Sequence, residues 1–201
     1  LVRSRGLGDV YKRQEHTLEV LAKKGSIKLS ILDVDDKGQL DLNQLEDVLK
    51  IHPKSLVSLM HANNEIGNLN DLDRIGGLAK EYNAFFHSDT VQTMGHYRHD
   101  LKELPVDALV AGGHKFHGPK GSGFLFVRKD KKIHPFIHGG AQERNMRGGT
   151  ENVIGIIGIS KALELAYEDM AEHRAHIEKI KKYFIEKLIR ELPGVEFNGL
   201  S

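Results

Sequence analysis

Residues 55–92 read SLVSLMHANNEIGNLNDLDRIGGLAKEYNAFFHSDTVQ. Ser55–His61 is a short apolar run, of the length of a buried strand. A polar turn, His61-Ala62-Asn63-Asn64-Glu65-Ile66-Gly67, follows it. Asp71–Tyr82 places Leu72, Ile75 and Leu78 or Ala79 on one side, the spacing of a helix. Ala84–Ser88 is a second strand, with Asp89-Thr90-Val91-Gln92 at its end. Strand, helix and strand in succession imply an α/β fold with a largely parallel sheet.

The rhythm extends both ways. Upstream, Glu15–Lys24 reads as a helix ending at Gly25, a residue suited to a C-terminal cap. Ile27–Val34 reads as a strand, Asp35–Gly38 as a turn, and Asp41–Lys50 as a helix carrying Leu42, Leu45 and Leu49. Downstream, Val106–Ala111 and Gly123–Arg128 read as strands. Asn152–Leu192 reads as two helices with a bend near Met170, stopped by Pro193-Gly194. Leu1–Gln14 carries Arg3, Arg5, Lys12 and Arg13 without a clear period. It reads either as a basic arm or, the favoured expectation, as a cloning or assembly remnant outside the fold.

Bulk properties exclude several classes. The 201 residues are 39% hydrophobic and 28% charged, with a formal net charge of +1, an ordinary globular composition. Near-neutral charge argues against a nucleic-acid or membrane surface built from bulk charge. No apolar run suggests a membrane span or a signal peptide. There is no cysteine, so disulfides and cysteine metal sites within the chain are excluded, which suits a cytoplasmic protein.

Ligands of open α/β sheets bind at the carboxyl ends of strands, and four polar segments fall there. Gly112-Gly113-His114-Lys115-Phe116-His117-Gly118-Pro119-Lys120-Gly121 sets a lysine among glycines, where backbone can approach a ligand. A lysine buried there would lose its charge readily and attack an aldehyde; the plain alternative is a surface turn. Asp89 could partner a pyridinium nitrogen or cap the segment from Val91. Asn63 and Asn64 could donate to an anionic oxygen or merely form a polar turn. The stretch 138–152, HGGAQERNMRGGTEN, could present donors to a phosphate or carboxylate or be a flexible loop with a threonine cap.

Taken together, His61–Gly67, Ser88–Gly95, Gly113–Phe124 and His138–Asn152 closely resemble the cysteine desulfurases, within the class V aminotransferase-like, fold-type I enzymes that use pyridoxal 5'-phosphate (PLP). Arg147–Asn152 and the His114–Gly121 stretch resemble the branch serving general iron–sulfur assembly. The resemblance runs from about Thr17 to the end and covers the middle of the family's chain, so both ends of the family pattern are expected to be missing.

The resemblance implies a mostly parallel central sheet flanked by helices. Residues 15–150 would be a partial PLP-binding large domain, preceded by the 1–14 leader. Residues 151–201 would be long interdomain helices leading toward a small domain. Lys115 corresponds to the Schiff-base lysine, Asp89 to the pyridinium partner, and Asn64 and Gln92 to groups near the cofactor's phenolic oxygen. His114 corresponds to a residue near the phosphate. Thr150 corresponds to a threonine reaching the neighbouring subunit's cofactor, which implies a homodimer. The pattern departs at Gly112, where the family usually has a phosphate-binding serine. His16 is too close to Gly25 to be the ring-stacking histidine, and no catalytic cysteine is present.

The implied activity is conversion of L-cysteine to L-alanine, with sulfur passed to an enzyme cysteine and on to an iron–sulfur scaffold protein. Competing expectations are another class V PLP enzyme such as an aminotransferase or selenocysteine lyase, an inactive fragment, and a metal-binding module. For the last, His114-x-x-His117 has no third ligand spaced with it, and no metal ligand is assigned.

Overall fold

The computed structural model describes the backbone of residues 2–4 and 10–15 and all atoms of residues 16–200. Six strands form one sheet: β1 (Val2–Ser4), β2 (Ser30–Leu32), β3 (Leu56–Met60), β4 (Phe85–Asp89), β5 (Ala108–Gly112) and β6 (Gly123–Val127). Their order is β2-β1-β3-β4-β5-β6. All neighbouring pairs are parallel except β5–β6, which closes that edge as an antiparallel pair. Helices are α1 (Val10–Lys23), α2 (Leu42–Ile51), α3 (Leu72–Glu81), α4 (Gln142–Asn145), α5 (Val153–Glu168) and α6 (Met170–Glu191). The mostly parallel sheet with flanking helices agrees with the sequence-based fold.

Some boundaries differ. Val2–Ser4 forms a strand between β2 and β3, and α1 begins at Val10 rather than Glu15. A three-residue strand is too short to display an alternating pattern and is defined by pairing on both sides. Residues 1 and 5–9 of the leader lie outside the described residues. β2 is cut to Ser30–Leu32, because Val34 turns out to bridge Leu40 across the Asp35–Gly38 turn. α4 is a single turn in which Glu143, Arg144 and Asn145 all have positive φ. The break between α5 and α6 falls at Asp169, where a bend was expected.

The core lies where α2 and α3 meet the sheet. α2 buries Leu45 and Leu49, and α3 buries Leu72, Ile75, Gly76 and Ala79. These pack with Val57, Leu59, Phe86 and Leu109 from the strands. Both helices start on aspartates. Asp41 accepts the N–H groups of Asn43 and Gln44, and Asp71 accepts that of Arg74, satisfying donors that a helix start leaves free. Within α3, two adjacent glycines do opposite things. A Cβ on Gly76 would stand 2.3 Å from the Pro105 carbonyl oxygen, whereas one on Gly77 would meet nothing within 4 Å.

Three histidines beneath the carboxyl edge are neutralised by burial. His61 is held down to about 4, first by desolvation and then by the neighbouring His99. Burial also lowers His87, against the opposing pull of Asp89, and lowers His99 against its bond to the Tyr97 carbonyl.

Gly76→Ala should lower unfolding stability by about 1–3 kcal/mol through overpacking. Gly77→Ala should raise it by about 0.5–1 kcal/mol through helix propensity; denaturant midpoints of the two variants check both signs. The histidines bind protons in the unfolded chain at a higher pH than in the folded one. Their neutral-state stability is therefore complete above the unfolded value of about 6.5. It is lost as pH falls through 6.5 toward the His61 value of about 4. Urea midpoints measured from pH 7.5 to pH 4.5 should decline, and His99→Leu should flatten that decline.

Candidate active site

Three adjacent strands end side by side, and each releases a turn that carries expected site residues. Parallel strands lie about 4.8 Å apart, so the ends of β3, β4 and β5 span about 10 Å, the scale of a small aromatic ligand. Asp89 is the last residue of β4, in register with Met60 of β3 and Val110 of β5. Its carbonyl accepts the His61 N–H at 2.9 Å, and the next residue, Thr90, donates its N–H to the Val110 carbonyl at 3.2 Å. The aspartate is thus pinned by backbone on both flanks. Its side-chain Oδ1 accepts the Val91 N–H at 3.0 Å, so it also caps the following turn. No salt bridge uses this carboxylate among the described residues. Capping and ligand binding are compatible, since one carboxylate has several acceptor positions.

The two asparagines after β3 divide their tasks. Asn63 is buried, and its Oδ1 accepts the N–H groups of Glu65 and Ile66 at 2.8 and 3.1 Å, while its own N–H donates to the Asn68 carbonyl. Asn64 is exposed, and its Nδ2 donates only outward, to Glu65 Oε1 at 3.0 Å. Asn63 builds the turn, and Asn64 is the amide left presentable to a ligand. Gln92, half-buried, follows Asp89 by three residues.

Lys115 closes a 3-10 turn, Gly113–Lys115, directly after β5. The turn is folded on itself: Gly113 N–H donates to the Ser122 carbonyl at 3.0 Å and Gly118 N–H to the Gly113 carbonyl at 2.8 Å. Phe116 points inward and is fully buried, whereas Lys115 is exposed. This corrects the expectation of a buried amine: the adjacent aromatic takes the inward direction, and the lysine leaves the turn on the open side. His114 is likewise exposed. Its imidazole folds back over Gly112, where a Cβ would lie 3.2 Å from Cε1 and 3.4 Å from Nδ1. The glycine that lacks a serine hydroxyl therefore makes room for the His114 ring.

Thr150 stands apart. It is exposed in the stretch before α5, and no hydrogen bond joins it to Asn64, Asp89, Gln92, His114 or Lys115 among the described residues. The structure brings those five to one edge, at the ends of β3, β4 and β5.

Several contributors were missed from sequence. His96, through Nε2, donates to the Lys115 carbonyl at 3.0 Å. Gly95 packs on Phe116, where a Cβ would stand 2.7 Å from the phenylalanine Cβ. Helix α5 backs the lysine turn, with Ile159 against Gly113 and Gly158 against Pro119. The repeated glycines were the available signal, since each marks a close approach that a side chain would block. A groove of about 570 Å³ opens beside the edge, between Gln92, His96 and Phe116 on one side and Leu165, Met170 and Arg174 on the other. Of the expected residues only Gln92 lines it, so it adjoins the site rather than containing it. No group of three or more histidines, aspartates or glutamates is arranged to hold a metal ion among the described residues.

The donor set fits PLP in kind: an amine for an aldehyde, a carboxylate for a pyridinium, two amides for an oxyanion, and an imidazole beside glycine backbone for a phosphate.

A model of the class-V aminotransferase family matches residues 10–201. The cysteine desulfurase IscS of Dictyoglomus turgidum is 45% identical over 184 residues, which are 92% of this chain and 45% of that protein. The cysteine desulfurase IscS of Clostridium botulinum (strain Hall) is 41% identical over 184 residues, 92% of this chain and 46% of that protein. A solved NifS-like protein matches with a TM-score of 0.85 at 37% identity, covering 94% of this chain and 51% of that one. The chain thus spans about half the length of these relatives. With a match that runs from the start of α1 to the last residue, and a fold shared with a NifS-like structure, the chain belongs to the class-V aminotransferase family.

Proposed function

We propose that this chain supplies the PLP-binding edge of a cysteine desulfurase that converts L-cysteine to L-alanine. The observation that carries the reading is the convergence of Asn64, Asp89, Gln92, His114 and Lys115 on three adjacent strand ends. The likeness to proteins named cysteine desulfurase selects among the class V activities. It favours desulfuration over an aminotransferase or selenocysteine lyase.

When bound, PLP supplies an electron sink for charge developing at the substrate's α-carbon. The chain's residues do the rest. Lys115 Nζ is the amine that would bond the cofactor aldehyde, and it would take and return a proton as base and acid. Its exposure leaves the side chain free to swing between these positions. Asp89 would hold the ring nitrogen and favour a proton there, because a carboxylate stabilises a nearby cation. Asn64 and Gln92 would donate to the phenolic oxygen, and His114 would serve the phosphate. Thr150, exposed before α5, is assigned to the cofactor of a second copy in a homodimer. Sulfur passes to a cysteine thiolate and then to an iron–sulfur scaffold protein, in a cytoplasmic setting. No helix among the described residues is long and apolar enough to cross a membrane. Because none of the 201 residues is cysteine, the thiolate is not provided by this chain.

Incubated with PLP, the chain should turn yellow. Borohydride should bleach it and leave a covalent adduct on the Lys115 peptide by mass spectrometry. Lys115→Ala should give neither colour nor adduct. With L-cysteine added, no protein-bound persulfide should form. A colourless wild-type chain, or an adduct that survives Lys115→Ala, refutes the assignment.

A further inference from the structure

The turns that carry Asn64 and Gln92 meet at one half-buried imidazole pair. His61 follows β3 directly and precedes Asn64 by three residues. Its backbone N–H donates to Asp89, and its carbonyl accepts the Asn70 N–H at 2.8 Å. Its Nδ1 lies 2.9 Å from Thr93 Oγ1 and 3.1 Å from His99 Nε2. The two rings meet edge to face, with centroids 5.2 Å apart and planes at 85°. Thr93 is fully buried and directly follows Gln92.

The protons can be assigned from the acceptors. His99 Nδ1 lies 2.9 Å from the Tyr97 carbonyl, which only accepts, so this nitrogen carries the proton. In a neutral ring Nε2 is then an acceptor. Thr93 Oγ1 donates to the Thr90 carbonyl at 3.3 Å. Thr93 Oγ1 also stands 3.3 Å from His99 Nε2, so the three groups form one cluster; with the hydroxyl turned to Thr90, the His61 Nδ1–H is shared between Thr93 Oγ1 and His99 Nε2. Beyond the pair, the His99 N–H donates to the Tyr167 hydroxyl of α5 at 3.3 Å. The Arg174 guanidinium of α6 stands 5.4 Å from the centre of the Tyr97 ring.

We propose that His61 and His99 are a positioning pair that fixes the turns bearing Asn64 and Gln92 relative to each other, so that both amides face the group held by Asp89. The ligand in this statement rests on the PLP assignment above; the alignment of the amides does not. A directional bond between two neutral rings sets one relative placement of the turns, whereas an apolar pair would fill the space without orienting it. Desolvation keeps both rings neutral near pH 7, so the bond persists where the protein would work. The pair touches neither ligand nor lysine and acts only through the two amides.

The test uses the whole 201-residue chain and PLP itself. His99→Leu should raise the PLP dissociation constant about tenfold, the equivalent of one buried hydrogen bond. In the Asn64→Ala, Gln92→Ala background the same change should cost less than about twofold, because the groups it aims are gone. His99→Gln, which keeps a side-chain acceptor, should recover most of the loss. Thr93→Val, nearly isosteric, serves as a second lesion should His99→Leu not fold. Unchanged affinity in a cooperatively folded His99→Leu or Thr93→Val, or losses that multiply independently in the cycle, overturns the proposal. A purely structural role would lower the melting temperature without that coupling. In the cofactor-free chain, NMR should show the Asn64 and Gln92 side-chain amide signals shifting in the variant while that of remote Asn43 stays. A wild-type chain that takes no PLP sinks the cofactor assignment alone. In that case the amide signals decide the pair, and their invariance overturns it.

Discussion

The backbone bond from the His61 N–H to the Asp89 carbonyl is the last rung between β3 and β4, and the geometry of the edge hangs on it. Met60 and Asp89 pair in register just before it. On the other flank, the Thr90 N–H reaches Val110 of β5. Asp89 therefore cannot shift without moving two neighbours. The turns carrying Asn64, Gln92 and Lys115 all depart from one fixed line. Each such bond contributes only about 1 kcal/mol net. A shared ladder nevertheless makes displacement of one member costly to all.

The lysine turn is aimed by close backbone approach rather than by side-chain partners. Gly118 lies against the Gly113 carbonyl, where a Cβ would come within 2.9 Å of the oxygen. Ile159 of α5 fills the space beside Gly113, and Pro119 sits on Gly158. With Phe116 buried and His96 holding the Lys115 carbonyl, the direction in which the amine leaves is set before any ligand arrives. Three glycines, 113, 118 and 158, are needed because three pairs of segments meet at distances too tight for an added methyl group.

The βαβ unit over 55–89 was legible because its elements are long enough to show their periods. Leu72 and Ile75, with Leu78 or Ala79, marked the inner face of α3, and of these Leu72, Ile75 and Ala79 are buried. The break near Met170 also appears, at Asp169. What stayed hidden depends on partners distant in sequence. β1 exists only through pairing on both sides, and β6 runs antiparallel because a short return joins it to β5. Composition could not tell that Phe116 would turn inward and Lys115 outward. The candidate site residues were legible as a set of strand-end motifs, and the structure adds that Asn63 is buried in the turn while Asn64 is exposed. The His61–His99 contact joins residues 38 positions apart, and no local pattern announces it.

Helix α6 shows how the edge can be held while much of the chain's apolar surface is bare. None of its residues is buried, and Ile177, Ile180 and Phe184 expose more than half of their surface. Its ion pairs, Arg174–Glu178, Lys182–Glu186 and Lys187–Glu191, all run from base to acid along the helix. That is the weaker orientation, and exposed pairs of this kind contribute only a few tenths of a kcal/mol. The helix is thus anchored mainly at its first turns, where Arg174 packs over Tyr97 beside the Tyr167–His99 contact. Local opening begins where anchoring contacts are fewest, which here is the middle, since residues 171–184 are all exposed whereas Ile185 and Leu188 are partly buried. Beyond the far end the chain returns to the turn that bears Asn64, where the Leu200 N–H donates to Asn68 Oδ1 at 2.9 Å. Loosening of the middle turns leaves both the Tyr167–His99 contact at one end and the Leu200–Asn68 bond past the other in place.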